Sequence, residues 1–346
     1  MRDQDDRHDE EQALLARLEL HGITRRSFLG YCGALAAALG LPGCSDDGAA
    51  GTSDAGPGPG AGGADATQVA DALGAAADAG ARGKPAVLWL AAQDCNGCSI
   101  AFLNLDEDPQ RKMPSIAAVL LDTISLRYHE PVMAGTGEVA ETVKEDTIAA
   151  GGYILVVEGA IPEKDDRFCL VGGAPVRETV LAAAKNASHV IALGSCAATG
   201  GVVRNTVTAG RPVTHFVKDR TVINLPMCPA SHEHLLLTIV HLLTENKPPR
   251  LDAQGRPEIF FAESVHFRCP RLKSFAAGKF LTDWNDPAQK DYCLLQKGCR
   301  GPATHADCPT RGFNGGVSFC TAIGSPCQGC AEDSYYDGKP LYAKGS

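Results

Sequence analysis

Eleven of the twelve cysteines that follow residue 90 in this 346-residue chain lie in close groups that suit metal or iron–sulfur binding. They are Cys95, Cys98, Cys196, Cys228, Cys269, Cys293, Cys299, Cys308, Cys320, Cys327 and Cys330. An exported protein with so many thiols would ordinarily be a disulfide scaffold. The pair Arg25-Arg26 argues against this, because a twin-arginine signal addresses a receptor-read export route that carries folded proteins. Cofactors can then be inserted in the reducing cytoplasm.

The elements that must position the first of these cysteines are short apolar runs. Residues 86–90, 153–157, 189–193 and 221–225 are predicted to be buried strands. Residues 177–185 and 232–243 carry apolar side chains at helical spacing. Strands that alternate with helices predict a parallel sheet with helices on both faces.

Ligands of such sheets bind beyond the carboxyl ends of the strands. Cys95 and Cys98 follow the first predicted strand, Cys196 follows the third, and Cys228 follows the fourth. Four thiolates are therefore expected to converge on one edge of the sheet. Taken alone, these four residues leave zinc and an iron–sulfur cluster both open.

Beyond about residue 250 the apolar periodicity fades and potential ligands dominate. One set comprises three thiols and an imidazole: His266, Cys269, Cys293 and Cys299. A further set has four thiols: Cys308, Cys320, Cys327 and Cys330. Metal–thiolate bonds can hold a region that lacks a hydrophobic core of its own. The three sets together provide twelve ligands, enough for three four-iron clusters. Cys169 is left over and is predicted to be a buried free thiol.

The chain divides into four predicted segments. These are a twin-arginine signal peptide (1–44), a flexible linker rich in Gly, Ala and Pro (45–83), an α/β domain (84–250) and an irregular cysteine-rich domain (251–346). The apolar stretch 30–41 is too short to span a bilayer, so no transmembrane helix is expected in the mature chain. Cys44, after Leu41-Pro42-Gly43, is a candidate site for a lipid anchor.

Composition and charge narrow the class of protein. The chain is 44% hydrophobic and 21% charged, which is ordinary for a globular protein of one large or two smaller domains. Its net charge is −9, and no run of five or more basic residues occurs. We therefore expect no nucleic-acid partner.

Several motifs resemble the small subunit of [NiFe] hydrogenases over residues 84 to about 332. They are Gln93-Asp94-Cys95-Asn96-Gly97-Cys98, Val157-Glu158-Gly159-Ala160-Ile161-Pro162, Gly194-Ser195-Cys196-Ala197, Met227-Cys228-Pro229, Val265-His266-Phe267-Arg268-Cys269-Pro270-Arg271, Gly298-Cys299-Arg300-Gly301-Pro302 and Pro326-Cys327-Gln328-Gly329-Cys330. The resemblance implies a flavodoxin-like domain followed by an irregular iron–sulfur domain. It also implies a partner, the large subunit, which carries the nickel–iron site.

The resemblance assigns each ligand set to a cluster. Cys95, Cys98, Cys196 and Cys228 match the proximal [4Fe-4S] cluster, nearest the nickel–iron site. His266, Cys269, Cys293 and Cys299 match the distal [4Fe-4S] cluster. Cys308, Cys327 and Cys330 match the medial cluster, which has three irons in many relatives. Those relatives carry proline where this chain has Cys320, so a four-iron medial cluster is predicted, as in nickel–iron–selenium members. The cluster has three irons if Cys320 is not a ligand.

Oxygen-tolerant relatives carry two extra cysteines around the proximal cluster. The matching positions here are Gly97 and Gly201, so an ordinary proximal cubane is expected.

The implied function is electron transfer in the periplasm during reversible oxidation of H2. No catalytic residue is expected on this chain, which would pass electrons from the large subunit to an external carrier such as a c-type cytochrome. Glu158 is interpreted as a structural acid in preference to a proton relay. The main alternative is a zinc-stapled exported binding protein without a redox role. Two other interpretations are less favoured. A quinone-reductase-type subunit would share only the first cysteine motif with this chain. A stand-alone ferredoxin would not need the α/β domain.

Overall fold

The structure is a computed structural model that describes residues 84–107, 114–313 and 315–336. The predicted signal peptide and linker, with Cys44, lie outside the described residues. None of the described helices combines the length and the apolar character needed to cross a membrane.

Five parallel strands form the central sheet. They are β1 (Ala86–Ala91), β2 (Ser125–Tyr128), β3 (Ile154–Glu158), β4 (His189–Leu193) and β5 (Val222–Leu225), in the spatial order β2-β1-β3-β4-β5. This 2-1-3-4-5 order is that of flavodoxin-like folds, so the predicted fold class is confirmed. Every residue of β3 is buried, as expected for a central strand covered on both faces.

Five helices and several shorter elements surround the sheet. The helices are α1 (Gly97–Leu103), α2 (Glu138–Ala150), α3 (Val176–Asn186), α4 (Gly194–Thr199) and α5 (His232–Glu245). Single helical turns or short helices occupy Ile116–Ala118, Val119–Thr123, Asp166–Phe168, Gly201–Val203, Val213–Phe216, Glu258–Phe261, Leu272–Ala276, Pro287–Gln289, Leu295–Lys297, Gly301–Ala303, Cys308–Arg311 and Asp333–Tyr336. Two short antiparallel pairs join Ile161–Pro162 to Gly210–Arg211 and Leu170–Val171 to Ala174–Pro175.

Two apolar clusters cover the two faces of the sheet, because successive strand residues point to opposite sides. On one face Leu88 and Val157 pack with residues of α3 such as Val180. On the other face Trp89 and Val156 pack with α5. This second cluster, which we call the α5-side core, continues past residue 250 and includes Phe261, Val265, Ala306, Cys308, Cys327 and Ala331.

The region after residue 250 is irregular, as predicted. Its described part has short helical turns and isolated bridges such as Phe280 with Cys293, but no strand longer than one residue. Backbone contacts fasten it to the sheet: Asn224 in β5 donates its N–H to the carbonyl of Gly255, at 2.8 Å. The buried Arg256 guanidinium bonds Asp252 at 2.8 Å and Glu332 at 3.1 Å, which ties two distant segments together.

Candidate functional site

The first cysteine set lies at the carboxyl edge of the sheet. Cys95 follows β1, Cys98 lies in α1, Cys196 lies in α4 directly after β4, and Cys228 follows β5. Burial, together with the negative charges of Cys228 and Cys95, raises the pKa of Cys196 to about 11. Burial also raises the pKa of Cys98, with contributions from Glu158, Cys228 and Cys196. The structure thus brings these four sulfurs together.

The backbone passes very close to this set at two glycines. A Cβ atom on Gly194 would lie 2.5 Å from Cys98 Sγ, and one on Gly201 would lie 2.5 Å from Cys196 Sγ. Both glycines have left-handed backbone, with φ of 82° and 53°. At Gly97 a Cβ would lie 3.1 Å from Cys95 Sγ. Positions 97 and 201 therefore adjoin the first set, and neither carries a thiol.

Glu158 is the last residue of β3 and holds the start of α1 through hydrogen bonds. Its buried carboxylate accepts hydrogen bonds from Cys98 N (3.0 Å), Ser99 N (3.2 Å) and Ser99 Oγ (2.5 Å). It also accepts one from Trp89 Nε1 at 3.2 Å. His129 Nε2 lies 2.8 Å from Ser99 Oγ and completes the network. Through these contacts Glu158 anchors the start of α1, while its interpretation as a structural acid in preference to a proton relay stays a prediction.

The second set surrounds the turn that contains His266. Burial raises the pKa of Cys299, and the negative charges of Cys269 and Cys293 add to this effect. Cys269 N donates to the carbonyl of His266 at 3.1 Å. A Cβ on Gly301 would lie 3.4 Å from Cys299 Sγ and 3.9 Å from His266 N, so the imidazole-bearing residue adjoins the cysteines.

The third set is the most deeply buried. Burial raises the pKa of Cys308 far above the ordinary value for a thiol, and the charges of Cys330, Cys327 and Cys320 raise it further. The pKa of Cys330 rises to about 12 through burial and through the charges of Cys327 and Cys320. Cys320 therefore lies with the other three sulfurs of this set.

The third set stands between the first and the second. On one side the Cys228 backbone lies near the Cys330 sulfur and partly offsets the burial that raises the Cys330 pKa. Ser195 Oγ donates to the Cys330 carbonyl at 2.5 Å. On the other side Cys327 N donates to Cys299 Sγ at 3.3 Å. The three sets therefore form a row in the order first, third, second.

The donors in these sets fit iron–sulfur clusters. Eleven thiols and one imidazole are soft ligands of the kind that such clusters take. Backbone N–H groups point at the sulfurs, as Ala230 N does at 3.3 Å from Cys98 Sγ, and so favour the thiolate form. Uncompensated thiolates would be costly in such buried sites, whereas a bound cationic centre keeps a coordinating thiol deprotonated. Within the described ranges, no group of three or more His, Cys, Asp or Glu residues is arranged to hold a single metal ion.

Two thiols of the first set are exposed on this chain. Cys95 and Cys228 both reach the surface. A cavity of about 400 Å³ adjoins Cys228 and is also lined by Cys320 and Cys330. Ile100 of α1, 56% exposed, also lines it.

Two further findings concern residues outside the predicted sets. Cys169 is a free thiol but is half-buried, not buried as predicted, because it lies beside the short surface pair of Leu170 with Pro175. The Tyr335 and Tyr336 hydroxyls lie near Cys228 and lower its pKa, which burial otherwise raises. The sequence held no signal for this contact, since the residues lie more than one hundred positions apart.

The fold and the row of thiol sets define a flavodoxin-like electron-transfer protein with a cysteine-rich extension. Residues 261–343 match the family model of the C-terminal region of the NiFe/NiFeSe hydrogenase small subunit. Residues 95–242 match the model of the NADH ubiquinone oxidoreductase 20 kDa subunit. The range 95–242 contains only the first cysteine set. The range 261–343 contains the second and third sets.

Individual relatives agree with these matches. The chain is 37% identical over 329 residues to the uptake hydrogenase small subunit of Azotobacter vinelandii, which covers 93% of this chain and 83% of that protein. It is 36% identical to the periplasmic [NiFe] hydrogenase small subunit of Solidesulfovibrio fructosivorans, over 95% and 96% of the two chains. The Ni-Fe-Se hydrogenase structure from Desulfomicrobium baculatum matches with a TM-score of 0.68 at 33% identity, over 75% of this chain and 99% of that chain.

This chain belongs to the [NiFe] hydrogenase small subunit family. The relatives give no support to the zinc-stapled binding protein.

Proposed function

We propose that the chain is the electron-transferring small subunit of a periplasmic [NiFe] hydrogenase. The partner would be a large subunit with the nickel–iron site, where H2 is split reversibly into two protons and two electrons. The observation that carries this proposal is the row of three sets, joined by the hydrogen bonds from Ser195 Oγ to the Cys330 carbonyl and from Cys327 N to Cys299 Sγ. The names of the relatives support it.

The ligands that we propose follow the three sets. Cys95, Cys98, Cys196 and Cys228 would hold the proximal [4Fe-4S] cluster; Cys308, Cys320, Cys327 and Cys330 the medial [4Fe-4S] cluster; and His266, Cys269, Cys293 and Cys299 the distal [4Fe-4S] cluster. Such clusters supply one-electron redox steps at potentials of roughly −700 to +450 mV. The burial of Cys308 and Cys327 supports a medial site with two of its ligands shielded from water.

The exposed side of the first set supports a protein partner at this edge. Cys95 and Cys228 are exposed on this chain alone, beside the apolar Ile100. A large subunit seated there would exclude water from the proximal ligands and bring its own metal site close to them.

The glycines at positions 97 and 201 support an ordinary proximal cubane. A cysteine at either position would add a sulfur beside Cys95 or Cys196. We expect the activity to be lost in air, and sustained turnover in air would contradict this assignment.

We also propose export to the periplasm by the twin-arginine pathway, which the periplasmic relative supports. A lipid anchor at Cys44 remains a prediction, because that residue lies outside the described part of the chain.

The proposal is tested by purifying the native complex through a tag on this chain and analysing its metals. We expect a nickel-containing partner, and about twelve iron atoms with matching acid-labile sulfide in this chain. A colourless preparation with zinc and without iron would refute the proposal.

The role of the second set is tested with His266→Gly. Electron delivery to an external redox protein should fall while the partner still exchanges hydrogen isotopes. His215→Gly is the control, since that half-exposed histidine contacts Glu163 and no cysteine set. Normal delivery in the His266 variant would remove the proposed exit role.

A further inference from the structure

The surface beside the second cysteine set differs in charge from the rest of the chain. Residues 266–300 carry seven Lys and Arg against three Asp, a net charge of +4, whereas the whole chain carries −9. Of these cations Arg271 is buried and Arg268 pairs with Glu263, so the charge available at the surface comes mainly from the lysines. Charge of one sign concentrated around a single site steers oppositely charged partners toward it.

Three of these cations lie close to different ligands of the second set, in the sequence or through a backbone hydrogen bond. Lys273 lies in the short helix that follows Cys269, and the carbonyl of Lys279 accepts a hydrogen bond from Cys293 N at 2.9 Å. Lys297 stands two residues before Cys299. Lys273 and Lys279 are exposed, and the described residues provide no carboxylate within ion-pair distance of any of the three lysines.

Exposed aromatic rings lie among these lysines. Phe275 packs edge-on against the His266 ring, with centroids 4.6 Å apart, and is still 37% exposed. Trp284 is 56% exposed, and Lys297 Nζ lies 5.7 Å from its ring centroid. Phe275 and Phe280, which adjoins Lys279, have centroids 6.0 Å apart.

The basic aromatic face consists of Lys273, Phe275, Lys279, Trp284 and Lys297. Exposed aromatic residues are enriched at the centres of protein interfaces, where charges at the rim mainly set the rate of encounter. Arg268, by contrast, is already paired with Glu263 at 2.6 Å and adds little free charge. The face also touches His266, the ligand that we propose for electron exit.

We infer that the basic aromatic face is the docking site of an acidic redox protein, which receives electrons through His266 and the Phe275 ring edge. This inference rests on the proposed function and specifies the partner of its exit site. The complementary face of the partner would carry Asp and Glu around its own redox centre.

The test measures H2-dependent reduction of two soluble carriers by the purified complex, a strongly acidic ferredoxin and a strongly basic c-type cytochrome. With the ferredoxin, the second-order rate constant should fall steeply as salt is raised toward about 1 M, where the Debye length is about 3 Å. With the basic cytochrome it should rise or stay level. A rate that increases with salt for the acidic carrier would overturn the inference.

Charge reversal locates the effect. The double variant Lys273→Glu/Lys279→Glu should reduce the low-salt rate with the acidic ferredoxin about tenfold or more, with little change at high salt. The control is Lys185→Glu/Lys218→Glu, which makes the same change in charge at exposed lysines near the amino ends of the strands. Equal effects of the two double variants would refute docking at this face.

A small neutral dye separates this inference from the proposed function. If H2 reduces the dye but the ferredoxin rate ignores both salt and charge reversal, only the docking inference fails. If the complex contains no iron and never reduces the dye, the proposed function fails. Iron content and the paramagnetic signals of the clusters show whether each variant is assembled, and Lys273→Ala/Lys279→Ala provides a milder pair, with an expected decrease of several-fold.

Discussion

Replacing Glu158 by Gln tests how the end of β3 holds the first cysteine set. Gln has the same shape, but one of its two terminal atoms is an amide donor in place of an acceptor. If the amide oxygen keeps the bonds from Cys98 N and Ser99 N, the NH2 group must face Ser99 Oγ and Trp89 Nε1. The serine hydroxyl can rotate, whereas the indole N–H cannot.

The magnitude follows from these contacts. An unsatisfied buried donor costs about 1–3 kcal/mol, and bonds to a neutral acceptor are about half as strong as those to a carboxylate. We expect a loss of about 2–4 kcal/mol in the free energy of unfolding. For a unit of roughly 250 residues this lowers Tm by about 5–15 °C.

The assay is thermal unfolding of the purified complex, together with the paramagnetic signal of its reduced clusters. The signal of the proximal cluster should change, because the N–H groups of Cys98 and Ser99 lose a charged acceptor. Glu163→Gln is the control, since it removes one carboxylate from a half-exposed, solvent-screened pair with Arg211. If Glu158→Gln shifts Tm no more than this control, the proposed anchoring of α1 is wrong.

Three further predictions concern other sites. Oxidised Cys320→Ser protein should show a three-iron paramagnetic signal that the wild type lacks; its presence in the wild type would exclude ligation by Cys320. Arg256→Met strands the partly buried Glu332 and should cost about 3–5 kcal/mol in chemical unfolding, so a change below 1 kcal/mol would contradict the packing. Burial raises the pKa of Glu130 from 4.5 to about 7. Its contribution to stability is therefore full below about pH 4.5 and lost as the pH rises through 7. Glu130→Gln should stabilise the protein by about 1–3 kcal/mol at pH 8 and not at pH 4; equal unfolding curves at pH 8 would refute this.

Much of the sheet could be predicted because central parallel strands are continuous apolar runs. The four predicted strands correspond to β1, β3, β4 and β5, with ends shifted by at most one residue. The edge strand β2 was missed, because only Tyr128 of its four residues is buried and Arg127 interrupts the apolar pattern. Helix α2 was missed for a similar reason: its buried residues are Ala140, Lys144 and Thr147, which give no apolar stripe.

The grouping of the cysteines could also be predicted, since spacing and strand ends place them in three sets. Contacts between sets could not, because they join residues far apart in the chain. The hydrogen bond from Ser195 Oγ to the Cys330 carbonyl joins residues 135 positions apart. A serine beside a cysteine does not indicate in the sequence which group its hydroxyl will contact. The Trp89 bond to Glu158 likewise depends on the register of β1 against β3.

The α5-side core runs without a break from the sheet into the irregular region, where Cys308, Cys327 and Ala331 pack with residues of α5. The cysteine-rich region therefore shares one hydrophobic core with the α/β domain. If the third cysteine set lacked the cluster that we propose for it, repelling thiolates would sit inside the packing of the α/β layer itself. Insertion of the proposed cluster and folding of the α/β domain would thereby be coupled, and a chain without the cluster would be less compact as well as colourless.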